Sequence, residues 1–134
     1  MQQILILDEN AVRQAGLCRV LGERGCGTVL AGGQAQALAV LACGMVDAVI
    51  LPQSAMPLVA GAARQVPLIC LSQCDEAGVG EVFALSPMVF AVMDPDTPPA
   101  VVADLVQAAM RDTSQPPVPA PKREAVQRGR LTLA

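Results

Sequence analysis

The chain has 134 residues, enough for one domain of ordinary size, and is 53% apolar but only 16% charged and 1% aromatic, with a net charge of −3. It contains no histidine, tryptophan or tyrosine. That composition excludes Ser-His-Asp triads, Cys-His pairs, histidine-ligated metals and a phosphohistidine within this chain, and it argues against aromatic platforms for single-stranded nucleic acid.

Taken in order, the chain alternates short apolar runs with helical patterns. Ile4-Leu5-Ile6-Leu7 is the first run, and Asp8 and Glu9 follow it at once. Asn10 is a good N-cap for a helix over residues 11–24, with Leu17, Val20 and Leu21 on one side and Arg13, Glu23 and Arg24 available for solvent. A weaker run, Thr28-Val29-Leu30-Ala31, comes next, then an Ala- and Leu-rich helix over 34–43 that stops at Gly44. Ala48-Val49-Ile50-Leu51 is the third run, followed by a short helix over 58–65. Leu68-Ile69-Cys70-Leu71 precedes a helix over 76–85 that Gly78 and Gly80 soften. Val89 to Met93 is the last run. Thr97 then caps, and Pro98 opens, a helix whose stripe is Val101, Val102, Leu105, Val106 and Ala109.

None of the runs alternates apolar with polar, as suits strands covered on both faces. Five β-α repeats with right-handed crossovers predict an α/β fold: a three-layer, doubly wound, flavodoxin-like parallel sheet of five strands in the order 2-1-3-4-5. In such a sheet a site forms beyond the carboxyl ends of the strands, which directs attention to residues just after strands one, three, four and five.

The first domain is predicted to cover residues 1–111. From Asp112 the composition changes to a Pro-rich linker, Gln115 to Pro121, and then the start of a further region, so that 112–134 stands apart. Residues 1–111 hold five basic and ten acidic side chains, whereas 112–134 hold four and two. The acidic balance speaks against direct nucleic-acid binding, and no stretch is apolar enough for membrane insertion. Five cysteines (18, 26, 43, 70 and 74) without a CxxC spacing read as reduced, buried thiols in a cytoplasmic protein.

The strand ends carry a resemblance. Asp8-Glu9 after the first run, Met56-Pro57-x-x-x-Gly61 after the third, Ser72-Gln73 after the fourth and Met93-Asp94-Pro95 after the fifth resemble, in register, the motifs of response-regulator receiver (CheY-like) domains. The resemblance spans about residues 2–111. It implies the module of bacterial two-component signal transduction and phosphorelay that accepts a phosphoryl group on an aspartate at the end of strand three. That chemistry also uses an acidic pair for Mg²⁺, a hydroxyl residue and a lysine. Counting back from Pro57 puts Gln53 at the nucleophile's place, and counting forward from Asp47 puts Pro52 there. Neither forms an acyl phosphate. Asp94 stands where the lysine would be, and Ala91 where an aromatic residue is common.

The chain therefore resembles a degenerate pseudo-receiver. Its pocket is expected to hold Asp8, Glu9, Pro52, Gln53, Ser72 and Asp94, with no catalytic residue and no enzyme activity. Asp8 and Glu9 read either as a solvated pair at a helix N-terminus or, with Asp94 and carbonyls of the 53–55 loop, as a site for a hard cation such as Mg²⁺. Ser72 reads as a cap on the following turn. The expected role is a phosphorylation-independent interaction or dimerisation module. Its face is formed by the predicted fourth helix, fifth strand and fifth helix, through Val101, Ala103, Ala108 and Met110. The tail, ending Gly129-Arg130-Leu131-Thr132-Leu133-Ala134, resembles the opening of a P-loop ATPase domain. That arrangement is found in pilus-assembly localisation ATPases of the tight-adherence type (TadZ/CpaE). The alternatives are a receiver ahead of a DNA-binding effector in an atypical transcriptional regulator, and a ligand- or cation-responsive receiver or unorthodox phospho-acceptor using Asp8 or Glu9.

Overall fold

A computed structural model of the chain describes residues 2–62, 65–73 and 75–113, of which residues 112 and 113 are described as backbone only. The predicted linker and tail lie outside the described residues. Five strands, β1 (Gln3–Leu7), β2 (Gly27–Ala31), β3 (Ala48–Pro52), β4 (Leu68–Leu71) and β5 (Val89–Met93), form one parallel sheet in the order β2-β1-β3-β4-β5. Five helices join and follow them: α1 (Ala11–Glu23), α2 (Gln34–Ala42), α3 (Met56–Ala62), α4 (Glu76–Leu85) and α5 (Pro99–Thr113). The predicted fold class and strand order hold. Among the described residues no helix is long and apolar enough to cross a membrane.

Because successive side chains of a strand point to opposite faces, each continuous apolar run feeds two cores. Leu5, Leu7, Val49, Leu51, Leu68 and Cys70 pack against α2, α3 and α4, through Ala37, Met56, Val59, Val82 and Phe83. Ile4, Ile6, Ala48, Ile50, Ile69 and Leu71 pack against α1 and α5, through Leu17, Leu21, Val102, Val106 and Ala109. The sheet separates the two clusters.

Local chemistry explains the helix ends. Asn10 sits in extended backbone (φ −85°, ψ 109°), and its side chain accepts the Arg13 N–H at 2.9 Å, as expected of an N-cap. At α4 the cap is Asp75, whose carboxylate accepts from the Gly78 N–H at 2.8 Å and offsets part of the cost of Gly78 and Gly80. Helix α3 starts two residues earlier than predicted because a single 3-10 turn (Gln53–Ala55) leads straight into it. Helix α5 starts at Pro99 rather than Pro98. A residue before proline avoids the α region, so Pro98 stays outside the helix and its carbonyl accepts from Val101 and Val102 (3.0 and 3.2 Å). One irregularity interrupts the β4–β5 ladder: Leu68 pairs with Val89 but Ile69 with Ala91, leaving Phe90 as the extra residue of a bulge.

Two expectations about side chains are corrected. Ala103 and Met110 are buried against the sheet with the rest of the α5 core, at 0% and 5% exposure, so neither lies on an outer face. Val101 is half-buried in the same cluster, and Ala108 is half-buried. Val102, Ala103, Val106, Ala109 and Met110 recur at the i, i+1, i+4, i+7 and i+8 spacing of one helix face, which is wider than the predicted stripe and takes in Ala103 and Met110. Of the cysteines, Cys26 and Cys70 are buried and Cys18 half-buried, but Cys43 is exposed at the end of α2 and Cys74 is outside the described residues.

Candidate functional site

The β1–α1 turn is built around one carboxylate. Asp8 is 7% exposed. Its Oδ1 accepts from the Asn10 N–H at 3.0 Å and from Arg13 Nη2 at 2.8 Å, while its Oδ2 accepts from Arg13 Nε. The guanidinium and carboxylate thus meet edge to edge in a bidentate pair. Gln14 reaches back from the next helical position and donates from Nε2 to the Asp8 carbonyl. The Arg13 pKa is raised, first by the hydrogen bond to Asp8 and further by the charges of Asp8 and Asp96, against an opposing effect of burial. The Asp96 contribution brings the β5–α5 loop to this side of the site.

This corrects the expectation that Arg13 points to solvent. A cation in the first turn of a helix opposes the helix dipole, and the Asp8 carboxylate is what holds it there. Asp8, Glu9, Asn10, Arg13, Pro52 and Ser54 line a pocket of about 380 Å³ at the carboxyl end of the sheet. Of the residues expected there, Asp8, Glu9 and Pro52 come together. The Asp8 carboxylate is clamped, the Glu9 side chain is exposed, and Pro52 closes β3. Ile4 pairs with Ala48 and Ile6 with Ile50, so Pro52 is the β3 residue that continuation of the register sets level with Asp8. Asn10, Arg13 and Ser54 were missed by the sequence reading. An N-cap next to an acidic pair, with an arginine three residues on, was the available signal for the first two.

Gln53 and Ser72 form a second pair. The Ser72 hydroxyl donates to Gln53 Oε1 at 2.7 Å and ties the end of β4 to the 3-10 turn after β3. The Ser72 hydroxyl thus reaches across to Gln53 where a cap on the following turn was expected, and Asp75 caps α4. Asp94 sits one residue beyond β5, level with Ser72, whose N–H donates to the Met93 carbonyl at 2.8 Å. The Asp94 carboxylate accepts from the Asp96 N–H at 2.8 Å, and its carbonyl accepts from Thr97 at 3.0 Å. Such a bond from an aspartate to the backbone two residues on shapes a turn.

The three carboxylates of the expected cation site are thus engaged separately: Asp8 by Arg13, Asp94 by its own loop, with Glu9 in solvent. Among the described residues no three Asp, Glu or Cys side chains are grouped closely enough to hold a metal ion. The structure does not bring Asp8, Glu9 and Asp94 together as one group of ligands. Nor do the described residues contain a buried side-chain nitrogen or oxygen without a partner. The buried polar side chains of the site are already partnered, and the surrounding charge is predominantly negative, which disfavours an incoming phosphate.

No family model matches the chain, and no curated protein matches it in sequence. Solved structures do. A response regulator from Thermotoga maritima superposes with a TM-score of 0.73 at 11% identity, over 83% of this chain and 98% of that one. The fold is the receiver fold. A receiver domain from Clostridium thermocellum gives a TM-score of 0.70 at 13% identity (85% and 98% covered). The solution structure of a response regulator protein from Burkholderia multivorans gives 0.67 at 20% identity (88% and 98% covered). At these identities the likeness is one of architecture. Within it, this receiver fold has Pro52 and Gln53 at the end of β3 and an arginine-clamped aspartate beside them.

Proposed function

We propose that the chain is a pseudo-receiver, a signal-transduction module that works through protein contacts and takes no phosphoryl group. The observation that carries this reading is the end of β3. Acyl-phosphate formation needs a carboxylate there; Pro52 has no nucleophilic atom, and the Gln53 carboxamide accepts a hydrogen bond from Ser72. Three features support it. Asp8 is neutralised from inside the chain by Arg13, Asp94 brings a negative charge to the end of β5, and the pocket holds no grouped metal ligands among the described residues.

The same reading makes the surface the functional part. On the face formed by α4, β5 and α5, α4 carries the exposed Glu76 and Glu81, which suits a basic partner protein better than a second acidic copy. The sequence of the tail supports a covalently linked effector, a tight-adherence-type ATPase first and a DNA-binding domain second. Reading the downstream codons distinguishes a Gly-rich phosphate loop from a basic helix pair.

The test is intact-mass spectrometry after incubation with a small phosphodonor and Mg²⁺. The expected result is no adduct of about 80 Da, on the ordinary covalent logic. A hydroxylamine-sensitive adduct on Asp8 or Glu9 would overturn the proposal and favour the unorthodox phospho-acceptor.

A further inference from the structure

The receiver site leaves one large feature unexplained. Between Arg24 and Arg64 the sequence holds a single charged residue, Asp47. That stretch contains β2, α2, β3 and α3, and so supplies one edge of the sheet and much of the layer on one side. Charged side chains ordinarily cover such a surface. At the sheet edge Leu30, on the α1 side because Val29 and Ala31 face the α2 core, is 46% exposed; on the other side Met45 is 71% exposed and α2 turns Ala35, Ala39 and Ala42 outward.

The edge itself is open in a specific register. Gly27 donates to the Gln2 carbonyl at 2.8 Å and pairs with Gln3. In a parallel ladder alternate residues face the neighbouring strand, so Gly27, Val29 and Ala31 bond inward to β1 while the N–H and C=O groups of Thr28 and Leu30 turn outward. Edge strands are usually blunted by lysine, proline or a bulge. β2, with the sequence Gly-Thr-Val-Leu-Ala, has none of these.

We infer that the β2 edge, flanked by the uncharged α2 layer, is a self-association surface for a second copy of this chain. Two arguments select that occupant. The first is register. With a two-fold axis through Val29, an antiparallel β2–β2 pair sets Thr28 opposite Leu30 of the other copy, and both residues have their backbone groups outward. Each such pair exchanges both N–H···O bonds, twice over by symmetry, and the Thr28 and Leu30 side chains lie on one face as cross-strand neighbours. The second is charge. Residues 1–111 hold ten acidic and five basic side chains, so contact through most faces opposes like charges. The β2–α2 face contributes no charge between Gly25 and Val46, and two acidic copies meet there with least repulsion. An isologous interface needs a patch complementary to itself, which this edge provides. The pair makes a continuous ten-stranded sheet from two five-stranded ones, and it leaves the face of α4, β5 and α5 open to another protein.

The experiment is sedimentation velocity and light scattering of the 134-residue chain from low to high micromolar concentration, with amide hydrogen exchange at both ends of the range. The expected result is a monomer–dimer equilibrium in which the Thr28 and Leu30 amides gain protection as concentration rises. The Gly27, Val29 and Ala31 amides stay protected throughout. Leu30→Lys and, separately, Ala39→Glu abolish the dimer, while Glu81→Lys on α4 leaves it intact. Should Leu30→Lys not fold, the Ala39→Glu variant and the Thr28 amide decide. A wild-type monomer at every concentration overturns the inference. So does a dimer that survives Leu30→Lys and Ala39→Glu, or one that Glu81→Lys alone disrupts.

Discussion

Replacing Arg13 by glutamine removes two of the three donors to the Asp8 side chain and leaves only the Asn10 N–H. The carboxylate is 7% exposed while the Arg13 side chain is 27% exposed. Breaking a fully buried pair costs about 3–5 kcal/mol, and surface pairs are worth about 0–1 kcal/mol. With one partner buried and the other partly solvated, Arg13→Gln should destabilise by about 1–2 kcal/mol, or roughly 4–8 °C in Tm for a domain of this size. Asp8→Asn alone leaves the guanidinium facing a neutral amide. The double variant should recover part of the loss, with a coupling of about 1 kcal/mol. Urea unfolding of the four proteins closes the cycle. Because Asp8 raises the Arg13 pKa, the pair's contribution is fully present below the ordinary guanidinium range and disappears only as pH climbs through the raised value. The difference between wild type and Arg13→Gln should therefore be flat from about pH 6 to about pH 9. Strictly additive substitutions, or a difference that vanishes in concentrated salt as a solvated pair's would, would refute the argument.

Three further outcomes follow from the helices. Gly80 lies inside α4 with nothing within 4 Å of an added Cβ, so Gly80→Ala should stabilise by about 0.5–1 kcal/mol in thermal melts. Gly16 is the opposite case: a Cβ there meets the Pro99 ring at 3.0 Å where α1 crosses α5, so the branched side chain of Gly16→Val should cost about 1–3 kcal/mol by urea titration. Asp75→Ala removes the α4 cap and should lower stability by about 1 kcal/mol, with faster amide exchange at Gly78.

Strands covered on both faces announce themselves as unbroken apolar runs, and Asn10 announces the first helix by its chemistry; both were legible because one residue type answers one local need. The misreadings arose where a side chain answers to something distant in the fold. Alanine has too little surface to declare which face it occupies, so Ala103 read as exposed when it is buried. Arg13 looked like an ordinary solvated cation, although its place against the helix dipole was a signal of a hidden carboxylate. Ser72 and Asp75 both suit helix caps by type, and only the approach of Gln53 from β3 assigns them different tasks. Of the expected pocket, the positions were legible because strand ends converge in this topology. The pairings Asp8–Arg13 and Gln53–Ser72 were not, since they depend on rotamers rather than on order along the chain.

The division of the interior into two compartments has a mechanical consequence. A push on α5 meets side chains that never cross the sheet, so it reaches α2 or α3 only by sliding or tilting the strands between them. At the rim beyond the carboxyl ends, Gln53–Ser72 pins β3 to β4, and Arg13–Asp8 pins α1 to β1. These two rivets stiffen the edge at which the strands would otherwise shear most easily, and the whole sheet should respond to load as a plate clamped along one side.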